Sequence, residues 1–305
     1  MKKIFLLSMF VVVMVSAISF MLQKEESNFN FNFNDNKYIR VKRNEIGIIE
    51  NIPFEQYIVG VVAGEMPVNF DIEALKAQAV AARSYALTKI NQNIKNDYDV
   101  VDTIANQVYL DDAKLRINWG NSYSNNIEKI KKAVTDTAGE YLIYDGKVVN
   151  AFFFSTSVGK TENCVDVFGG NLPYLVSVDS HWDEKVSPVF SVDKEYTLES
   201  FYAKLGLPYN DLIRIKVTDA TSTGRIKKIL INDVEYTGAD IANKLSLRSA
   251  FFNIVQNGSV VNINTHGYGH GVGMSQYGAL GMAKEGYKYD EILKHYYTGT
   301  EIKKI

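Results

Sequence analysis

Apolar positions recur at helical spacing from residue 54 to about residue 65, and this spacing predicts an amphipathic helix. Pro53 suits the first turn of such a helix, because proline already holds a helical φ angle there. Pro67 ends the helix, since the residue before a proline disfavours helical geometry. The predicted apolar stripe consists of Phe54, Ile58, Val61 and Val62.

A second helix is predicted to begin after Asp71, a favourable N-cap residue, and to run to about residue 90. Its apolar residues are spaced alternately three and four apart, and most are alanines that allow close packing. This narrow seam consists of Ile72, Leu75, Ala79, Ala82 and Ala86. A third helix is predicted at residues 127–137, where Gly139 ends it.

Runs of β-branched and aromatic residues between polar turns predict strands in much of the remaining chain. One pair is predicted within residues 38–51, around a turn at 44–47. Another is predicted at 141–155, with residues 148–155 as one strand after the hairpin dipeptide Asp145-Gly146. Further strands are predicted near 213–217, 226–231 and 260–264, and helices at about 275–285 and 290–297.

These elements show no repeats and no clear linker. The prediction is therefore an α+β fold of mixed helices and antiparallel strands. It forms either one large domain or two interleaved subdomains around a cleft.

The N-terminal segment has a different pattern. Residues 4–22 are uncharged and mostly apolar, and their number is about enough to cross a membrane. Lys2 and Lys3 precede them and predict that the N-terminus stays inside. Ala17-Ile18-Ser19 is a weak cleavage site, so a signal peptide that is removed is an alternative to the anchor. The alternation of Asn and Phe at 27–36 makes a short edge strand an alternative to a linker. We expect four parts: a cytoplasmic stub at 1–3, a transmembrane anchor at 4–22, a linker at 23–37 and an external domain at 38–305.

Composition excludes several classes of protein. Hydrophobic residues make up 46% of the chain, which argues against a wholly disordered protein and a multi-span transporter. The 33 basic and 35 acidic side chains give a formal net charge of −2, so no nucleic-acid partner is expected. Cys164 is the one cysteine in the sequence, and no internal disulfide can form.

Two charged residues on the predicted helices are candidates for function. Glu65 shares the apolar face of its helix and lies at the C-terminal end, where the helix dipole disfavours a carboxylate. Both effects would raise its pKa, as a general acid near neutral pH requires. The alternative is an exposed glutamate at a helix end. Arg83 borders the alanine seam, where it would pair with a carboxylate or with sugar oxygens. Alternatively, it would lie at the surface, with the methylene groups of its side chain packed on apolar residues.

A glycine-rich segment near the C-terminus contains two histidines, His266 and His270. Glycines alternate at positions 267, 269, 271 and 273, and we expect them to leave backbone amides open to a ligand. The spacing of a phosphate-binding loop is absent. The two histidines would be a metal-binding pair or, alternatively, structural or substrate-binding residues.

A polar turn follows the predicted strand that ends near Ser155. Ser155, Thr156 and Lys160 would line a polar cleft or form an ordinary hairpin end. The G-x-S-x-G pattern of a serine hydrolase is absent, and a cysteine nucleophile would have to be Cys164.

Three long segments together resemble one protein family. They are 55–87 (EQYIVGVVAGEMPVNFDIEALKAQAVAARSYAL), 152–184 (FFFSTSVGKTENCVDVFGGNLPYLVSVDSHWDE) and 266–302 (HGYGHGVGMSQYGALGMAKEGYKYDEILKHYYTGTEI). In order and separation they resemble the stage II sporulation protein D (SpoIID) family, from about residue 38 to the C-terminus. The predicted N-terminal anchor fits the same family.

The resemblance implies a membrane-anchored cell-wall enzyme of endospore formers, a peptidoglycan lytic transglycosylase. Such an enzyme cleaves the MurNAc–GlcNAc bond of glycan strands lacking stem peptides, without water, and leaves 1,6-anhydro-MurNAc ends. The catalytic glutamate of the family's Glu-Met-Pro motif falls on Glu65, and Tyr277 matches a position important for activity. The arginine of the family's Ala-Arg-Ser/Thr-Tyr motif falls on Arg83. From the residues and the resemblance together, we expect a set of substrate-binding residues: Arg83, Ser155, Lys160, His270, Ser275, Gln276 and Tyr277.

The resemblance further implies partners and a location. The partners are peptidoglycan strands, a SpoIIP-like amidase/endopeptidase and a SpoIIM-like multi-span membrane protein. The external domain would face the wall between the membranes that engulf the forespore. No cofactor is expected, and no metal, because zinc-binding members use Cys and His ligands and Cys164 stands alone. Three alternatives stay open: a non-enzymatic amidase enhancer, a glycan-binding scaffold, and a metal-dependent hydrolase that uses His266 and His270.

Overall fold

The computed structural model describes residues 37–304. Its helices are Phe54–Glu65 (α1), Ile72–Gln92 (α2), Asp112–Trp119 (α3), Tyr123–Asp136 (α4), Cys164–Phe168 (α5), Trp182–Val186 (α6), Leu198–Leu205 (α7), Gly238–Lys244 (α8), Gln276–Lys284 (α9) and Tyr289–Tyr296 (α10). Its strands are Tyr38–Lys42 (β1), Ile49–Pro53 (β2), Val100–Val101 (β3), Glu140–Tyr144 (β4), Lys147–Val148 (β5), Phe153–Phe154 (β6), Ser191–Thr197 (β7), Ile215–Ala220 (β8), Ile226–Ile231 (β9), Val234–Thr237 (β10), Phe252–Asn257 (β11), Val260–His266 (β12), Met274–Ser275 (β13) and Glu301–Lys304 (β14).

The predicted stub and anchor, and nearly all of the predicted linker, lie outside the described residues. Within residues 37–304, no helix is both long enough and apolar enough to cross a membrane.

The long helices form where the sequence predicts them. The bounds of α1 are the predicted ones, and the extended backbone of Met66 ends this helix before Pro67. Asp71 caps α2 as predicted, because its side chain accepts a hydrogen bond from the Glu73 amide at 2.9 Å. The helix α4 begins at Tyr123 rather than at residue 127. Sequence reasoning missed α3, a short helix that buries few of its residues.

Most strands pair in an antiparallel direction within small sheets. The sheet orders are β2-β1-β3, β10-β9-β8, β11-β12-β7, β13-β6 and β14-β4-β5, and the pairs β1–β3 and β6–β13 are parallel. The predicted continuous strand over residues 148–155 is wrong. Phe153 and Phe154 leave the hairpin, since they pair instead with Met274 and Ser275 of β13.

The apolar residues form two separate buried clusters. The larger cluster lies among α1, α2, α4, α9 and α10. The smaller cluster lies among α7, α8, β9, β11 and β12. Because the chain forms the smaller cluster between α6 and β13, the smaller subdomain is inserted into the larger one. The predicted α+β class is confirmed, and the two clusters match the alternative with two interleaved subdomains.

Arg83 lies inside the larger cluster. Its side chain is fully buried, and its Nε and Nη2 atoms donate to the two carboxylate oxygens of Glu55, both at 2.7 Å. Its Nη1 atom donates to the Glu140 carbonyl at 2.8 Å, so Arg83 joins α1, α2 and β4. Pairing with a carboxylate was one expectation for Arg83, and it is confirmed. The surface alternative is wrong, and burial corrects the expectation that Arg83 contacts substrate.

We expect Arg83→Met to lower the free energy of unfolding by about 3–5 kcal/mol, because Glu55 would become an unpaired buried charge. The double variant Arg83→Met/Glu55→Leu removes both charges and should recover much of that loss. Denaturant unfolding of the full-length chain measures both effects. Arg214→Met is the matched control, since Arg214 pairs with Asp233 at the surface and its change should stay within about 0.5 kcal/mol. An Arg83→Met variant as stable as the wild type would contradict this structural role.

Candidate active site

Glu65 is the last residue of α1, and its side chain is partly buried. The loop between β3 and α3 crosses this end of the helix. The Val108 amide of that loop donates a hydrogen bond to Glu65 Oε1 at 2.6 Å. A backbone donor from a distant part of the chain therefore orients the carboxyl group, and no local pattern in the sequence links the two.

Two glycines of α1 allow the loop to lie this close. A Cβ atom at Gly60 would lie 2.3 Å from the Tyr109 ring, and one at Gly64 would lie 2.7 Å from the Val108 carbonyl oxygen. Residues four apart share one face of a helix, so the two glycines form a single contact surface for the loop. The spacing of Gly60 and Gly64 is a sequence signal for this close contact, and sequence reasoning missed it.

Burial raises the pKa of Glu65 to about 7, although the Val108 amide and the nearby Gln276 side chain act in the opposite direction. The predicted rise is confirmed, and burial is its main cause. At neutral pH both the protonated and the ionised forms are populated. The group can therefore donate a proton and accept one back.

Two tyrosines lie close to Glu65. Burial is the first cause of the raised pKa of Tyr57 and of Tyr85, and the negative charge of Glu65 adds to the rise in both. The Tyr57 hydroxyl donates to Gln107 Oε1 at 3.1 Å, and Asn106 Nδ2 donates to the Tyr85 hydroxyl at 3.0 Å. The loop that holds Glu65 thus also holds both hydroxyls. Sequence reasoning missed these four residues, because only the folded loop brings them together.

The start of α9 brings Gln276 and Tyr277 to this region. Gln276 is 6% exposed, and its side chain is close enough to Glu65 to lower the pKa of the carboxyl group. Within residues 37–304, its Nε2 atom makes no hydrogen bond of good geometry. The Tyr277 ring packs edge-on against Phe70 at a centroid distance of 5.0 Å, and its amide donates to the Ser155 carbonyl at 3.0 Å. The structure therefore connects three predicted site residues: Ser155, Gln276 and Tyr277.

Ser275 has a different position. It is fully buried, and its hydroxyl caps α9 by accepting a hydrogen bond from the Gly278 amide at 3.2 Å. The same hydroxyl donates to Asp183 at 2.5 Å. This burial corrects the expectation of substrate contact, and Ser275 instead fixes the start of the helix that carries Gln276.

His270 lies in an aromatic cluster. Its ring centroid is 6.0, 5.7 and 5.2 Å from those of Phe152, Phe154 and Phe168, respectively. Burial, and then the positive charge of Arg225, lower the pKa of His270 to about 4, so the ring is neutral at physiological pH. Phe152 also packs against Tyr85 at 6.2 Å, which connects the cluster with the surroundings of Glu65.

Lys160 and Arg83 have other neighbours. Lys160 is exposed, and its backbone forms a bridge with Asp179. Arg83 is held by Glu55 as described above. In the part of the chain that the structure describes, neither residue forms a hydrogen bond or an ion pair with Glu65.

The glycine-rich segment packs against the chain itself. A Cβ atom at Gly271 would lie 2.7 Å from the Glu162 side chain, and one at Gly273 would lie 2.0 Å from the Phe152 carbonyl oxygen. Both glycines also have positive φ angles, 86° and 81°. The chain's own atoms therefore occupy the space where a side chain at Gly271 or Gly273 would lie.

The two histidines of this segment have different aromatic surroundings. The His266 ring packs against Phe190 and Phe251, whereas His270 packs in the cluster described above. Among residues 37–304, no group of three His, Cys, Asp or Glu side chains is arranged to hold a metal ion.

Comparison with known proteins identifies several relatives. The family model "SpoIID: Stage II sporulation protein" matches residues 42–144. Stage II sporulation protein D of Bacillus subtilis (strain 168) is 44% identical over 87% of this chain and 78% of its own length. The protein of the same name from Bacillus amyloliquefaciens is 43% identical, with the same shares covered. A Bacillus subtilis (strain 168) protein named amidase enhancer is 30% identical over 80% of this chain and 40% of its own length.

We expect Glu65→Gln to stabilise the folded chain at high pH. The folded pKa of about 7 exceeds the ordinary value of 4.5, so the wild type loses stability as pH rises from about 4.5 to above 7. The variant does not titrate, and its advantage should be on the order of 2–3 kcal/mol at pH 8 and should shrink through that window. Denaturant unfolding at several pH values measures it.

The exposed Glu128 provides the matched control. Glu128→Gln should change the free energy of unfolding by no more than about 0.5 kcal/mol. If Glu65→Gln gave a difference from the wild type that stayed constant from pH 4 to pH 8, the raised pKa would be disproved.

Proposed function

The chain belongs to the stage II sporulation protein D family, a family of sporulation proteins, and from this we propose that it is a peptidoglycan lytic transglycosylase. Its substrate would be glycan strands that lack stem peptides. It would cleave the MurNAc–GlcNAc bond and form 1,6-anhydro-MurNAc ends.

The observation that carries this proposal is the environment of Glu65. Its carboxyl group has a pKa of about 7 and is oriented by the Val108 amide. Hydrolytic glycosidases generally use two carboxyl groups, whereas a lytic transglycosylase can use one. Within residues 37–304, no second carboxylate contributes to the shifted pKa of Glu65. The site thus supports chemistry with a single acid that also serves as the base.

In this mechanism protonated Glu65 donates its proton to the glycosidic oxygen. The bond between that oxygen and MurNAc C1 breaks, and positive charge develops at C1. The Glu65 carboxylate then removes the proton from the C6 hydroxyl of the same sugar, whose oxygen bonds to C1. The attack is intramolecular and has a high effective concentration, and exclusion of water from the site prevents hydrolysis. Glu65 ends protonated, ready for the next strand.

The neighbouring residues take different roles in the proposal. The Val108 amide and the Gln276 side chain would stabilise the carboxylate that forms after proton donation. Tyr277, Ser155 and the aromatic cluster around His270 would contact the sugars. Arg83 and Ser275 are buried, so we assign them to positioning α1 and α9 rather than to binding substrate. Lys160, being exposed, would contact the strand outside the immediate site.

We further propose the setting that the family resemblance implies. The protein would be held by its N-terminal segment in the cell membrane, with residues 38–305 facing the wall during engulfment. It would act with a SpoIIP-like amidase/endopeptidase, which removes stem peptides, and a SpoIIM-like membrane protein. The mechanism needs neither a cofactor nor a metal.

A non-enzymatic amidase enhancer is the second candidate. The relative named amidase enhancer favours it, although this chain matches only 40% of that protein's length. An enhancer would stimulate a partner amidase and cleave nothing alone. The titratable carboxyl group at position 65 favours the enzyme, because an enhancer does not require one.

We expect the full-length chain to release products from peptide-free glycan strands that are one water lighter than hydrolytic products. Glu65→Gln should lower the rate at least a hundredfold, since the general acid is lost, while strand binding persists. Mass spectrometry of the products and a pull-down with the strands measure the two effects. Glu128→Gln is the matched control and should cleave like the wild type. Products with water added at the new end, or an active Glu65→Gln variant, would rule out this mechanism.

A further inference from the structure

A crevice between the two subdomains lies beside the aromatic cluster around His270 and contributes no group to the acid–base chemistry proposed above. It encloses about 560 Å³, within the range of small-ligand sites. The larger subdomain forms one wall with α5 and the end of the glycine-rich segment, including Phe168, Gly269 and His270. The inserted subdomain forms the opposite wall, including Arg225, Lys227 and Arg248.

This crevice is more positive than the rest of the protein. Its walls contain three cationic side chains and one acidic side chain, Asp166, whereas the whole chain has a net charge of −2. Asn163 Nδ2 donates to the Asp166 carboxylate at 3.0 Å. The positive charge suits an anionic ligand, and the walls are otherwise largely apolar.

Arg248 is the cation that is available to such a ligand. The other two already face acids: Arg225 faces Glu162 at 3.3 Å, and Lys227 faces Asp219 at 3.6 Å. Arg248 is exposed and forms no ion pair within residues 37–304, and its guanidinium group lies 5.1 Å from the centre of the Tyr268 ring. Stacking on an aromatic ring restrains an arginine without using its hydrogen-bond donors, so these remain free for a carboxylate.

A row of aromatic rings connects the crevice with Glu65. Phe168, in the crevice wall, packs against Phe152 at 5.1 Å, and Phe152 packs against Tyr85 at 6.2 Å. Tyr85 is close enough to Glu65 for the carboxylate charge to raise its pKa. Phe168 is 49% exposed, and its ring can therefore pack against the apolar face of a sugar. Tyr85 itself is buried, so the row links the two places through packed rings, and a polysaccharide would contact it at Phe168.

From these observations we propose that the crevice binds the lactyl carboxylate of a MurNAc residue in the bound strand, and that Arg248 is its ligand. The inference rests on the proposed function, in which the substrate strands lack stem peptides. Hydrolysis of the amide between a stem peptide and the lactyl group leaves one free carboxylate on that MurNAc. A strand that keeps its peptides has a neutral and bulkier amide there. Arg248 would therefore select stripped strands over peptide-bearing ones.

The geometry of the two charged groups favours this pairing. A guanidinium group can donate two parallel hydrogen bonds to the two oxygens of a carboxylate. An amide has one acceptor oxygen and no negative charge, so it cannot replace the carboxylate. Hydrogen bonds to charged groups contribute enough affinity that losing this pair should weaken binding roughly tenfold.

The test measures binding to a full-length Glu65→Gln chain, so that cleavage does not interfere. The two probes are peptide-free glycan strands and the same strands with their lactyl carboxylates converted to carboxamides. The Glu65→Gln chain should bind the carboxylate strands roughly tenfold more tightly than the carboxamide strands. Adding Arg248→Gln should weaken binding to the carboxylate strands by that factor and leave the carboxamide strands unaffected. Arg248→Lys should retain part of the preference, because it keeps the charge and loses the paired donors.

Arg214→Gln is the matched control, since Arg214 is an exposed arginine of the same subdomain that does not line the crevice. It should bind both probes like the Glu65→Gln chain. The inference is overturned if that chain does not prefer the carboxylate strands, or if Arg248→Gln weakens binding to both probes equally or to neither. Failure of the proposed function would be distinguishable from failure of this inference. In that case the wild-type chain would release no anhydro products, while the Glu65→Gln chain would still prefer the carboxylate strands.

Discussion

The contact between α1 and the loop from Asp102 to Asp111 is the constraint on which the candidate site depends. This loop supplies the amide that orients Glu65. Arg43 holds both ends of the loop, because its guanidinium group bonds Asp102 at 2.9 Å and Asp111 at 2.6 Å. Arg43 is itself 6% exposed and the side chain of its partner Asp102 is also buried, so this ion pair is largely shielded from water, whereas Asp111 is partly exposed. The glycine face of α1 then lets the loop lie against the helix, and the carboxyl group is held before any ligand binds.

The same helix carries two glutamates with opposite roles. Glu55, in the first turn of α1, is paired on both oxygens with the buried Arg83. Glu65, at the other end, meets only neutral donors, and burial raises its pKa to about 7. Arg83 pairs with the Glu55 carboxylate, whereas Glu65, buried with only amide donors, remains able to gain or lose a proton near neutral pH. The two glutamates differ because other elements supply an arginine at one end of the helix and only amide donors at the other.

This explains how far the sequence could predict the protein. The bounds of α1 and the Asp71 cap depend on neighbouring residues, so local patterns predicted them. The partners of Glu55 and Glu65 come from α2 and from the loop after β3, which no local spacing reveals. Phe153 and Phe154 show the same limit, because their strand partners lie in β13. The helix pattern identified Glu65 as a candidate general acid and the family resemblance matched it to a catalytic glutamate, but the burial of Arg83 and Ser275 depends on the assembled core.

The inserted subdomain is tied to the larger one beneath the crevice. Arg225, at the start of the insertion's β9 strand, pairs with the buried Glu162 and donates to the Gly269 carbonyl at 3.1 Å. Separating the subdomains would leave Glu162 as an unpaired buried charge, which is strongly unfavourable. These contacts join the two walls of the crevice, and the aromatic row from Tyr85 to Phe168 leads from one wall towards Glu65. If the proposed function holds, a site arranged in this way would lose little conformational entropy when a strand binds, and recognition of a charge far from Glu65 would contribute to selecting the strand that is cleaved.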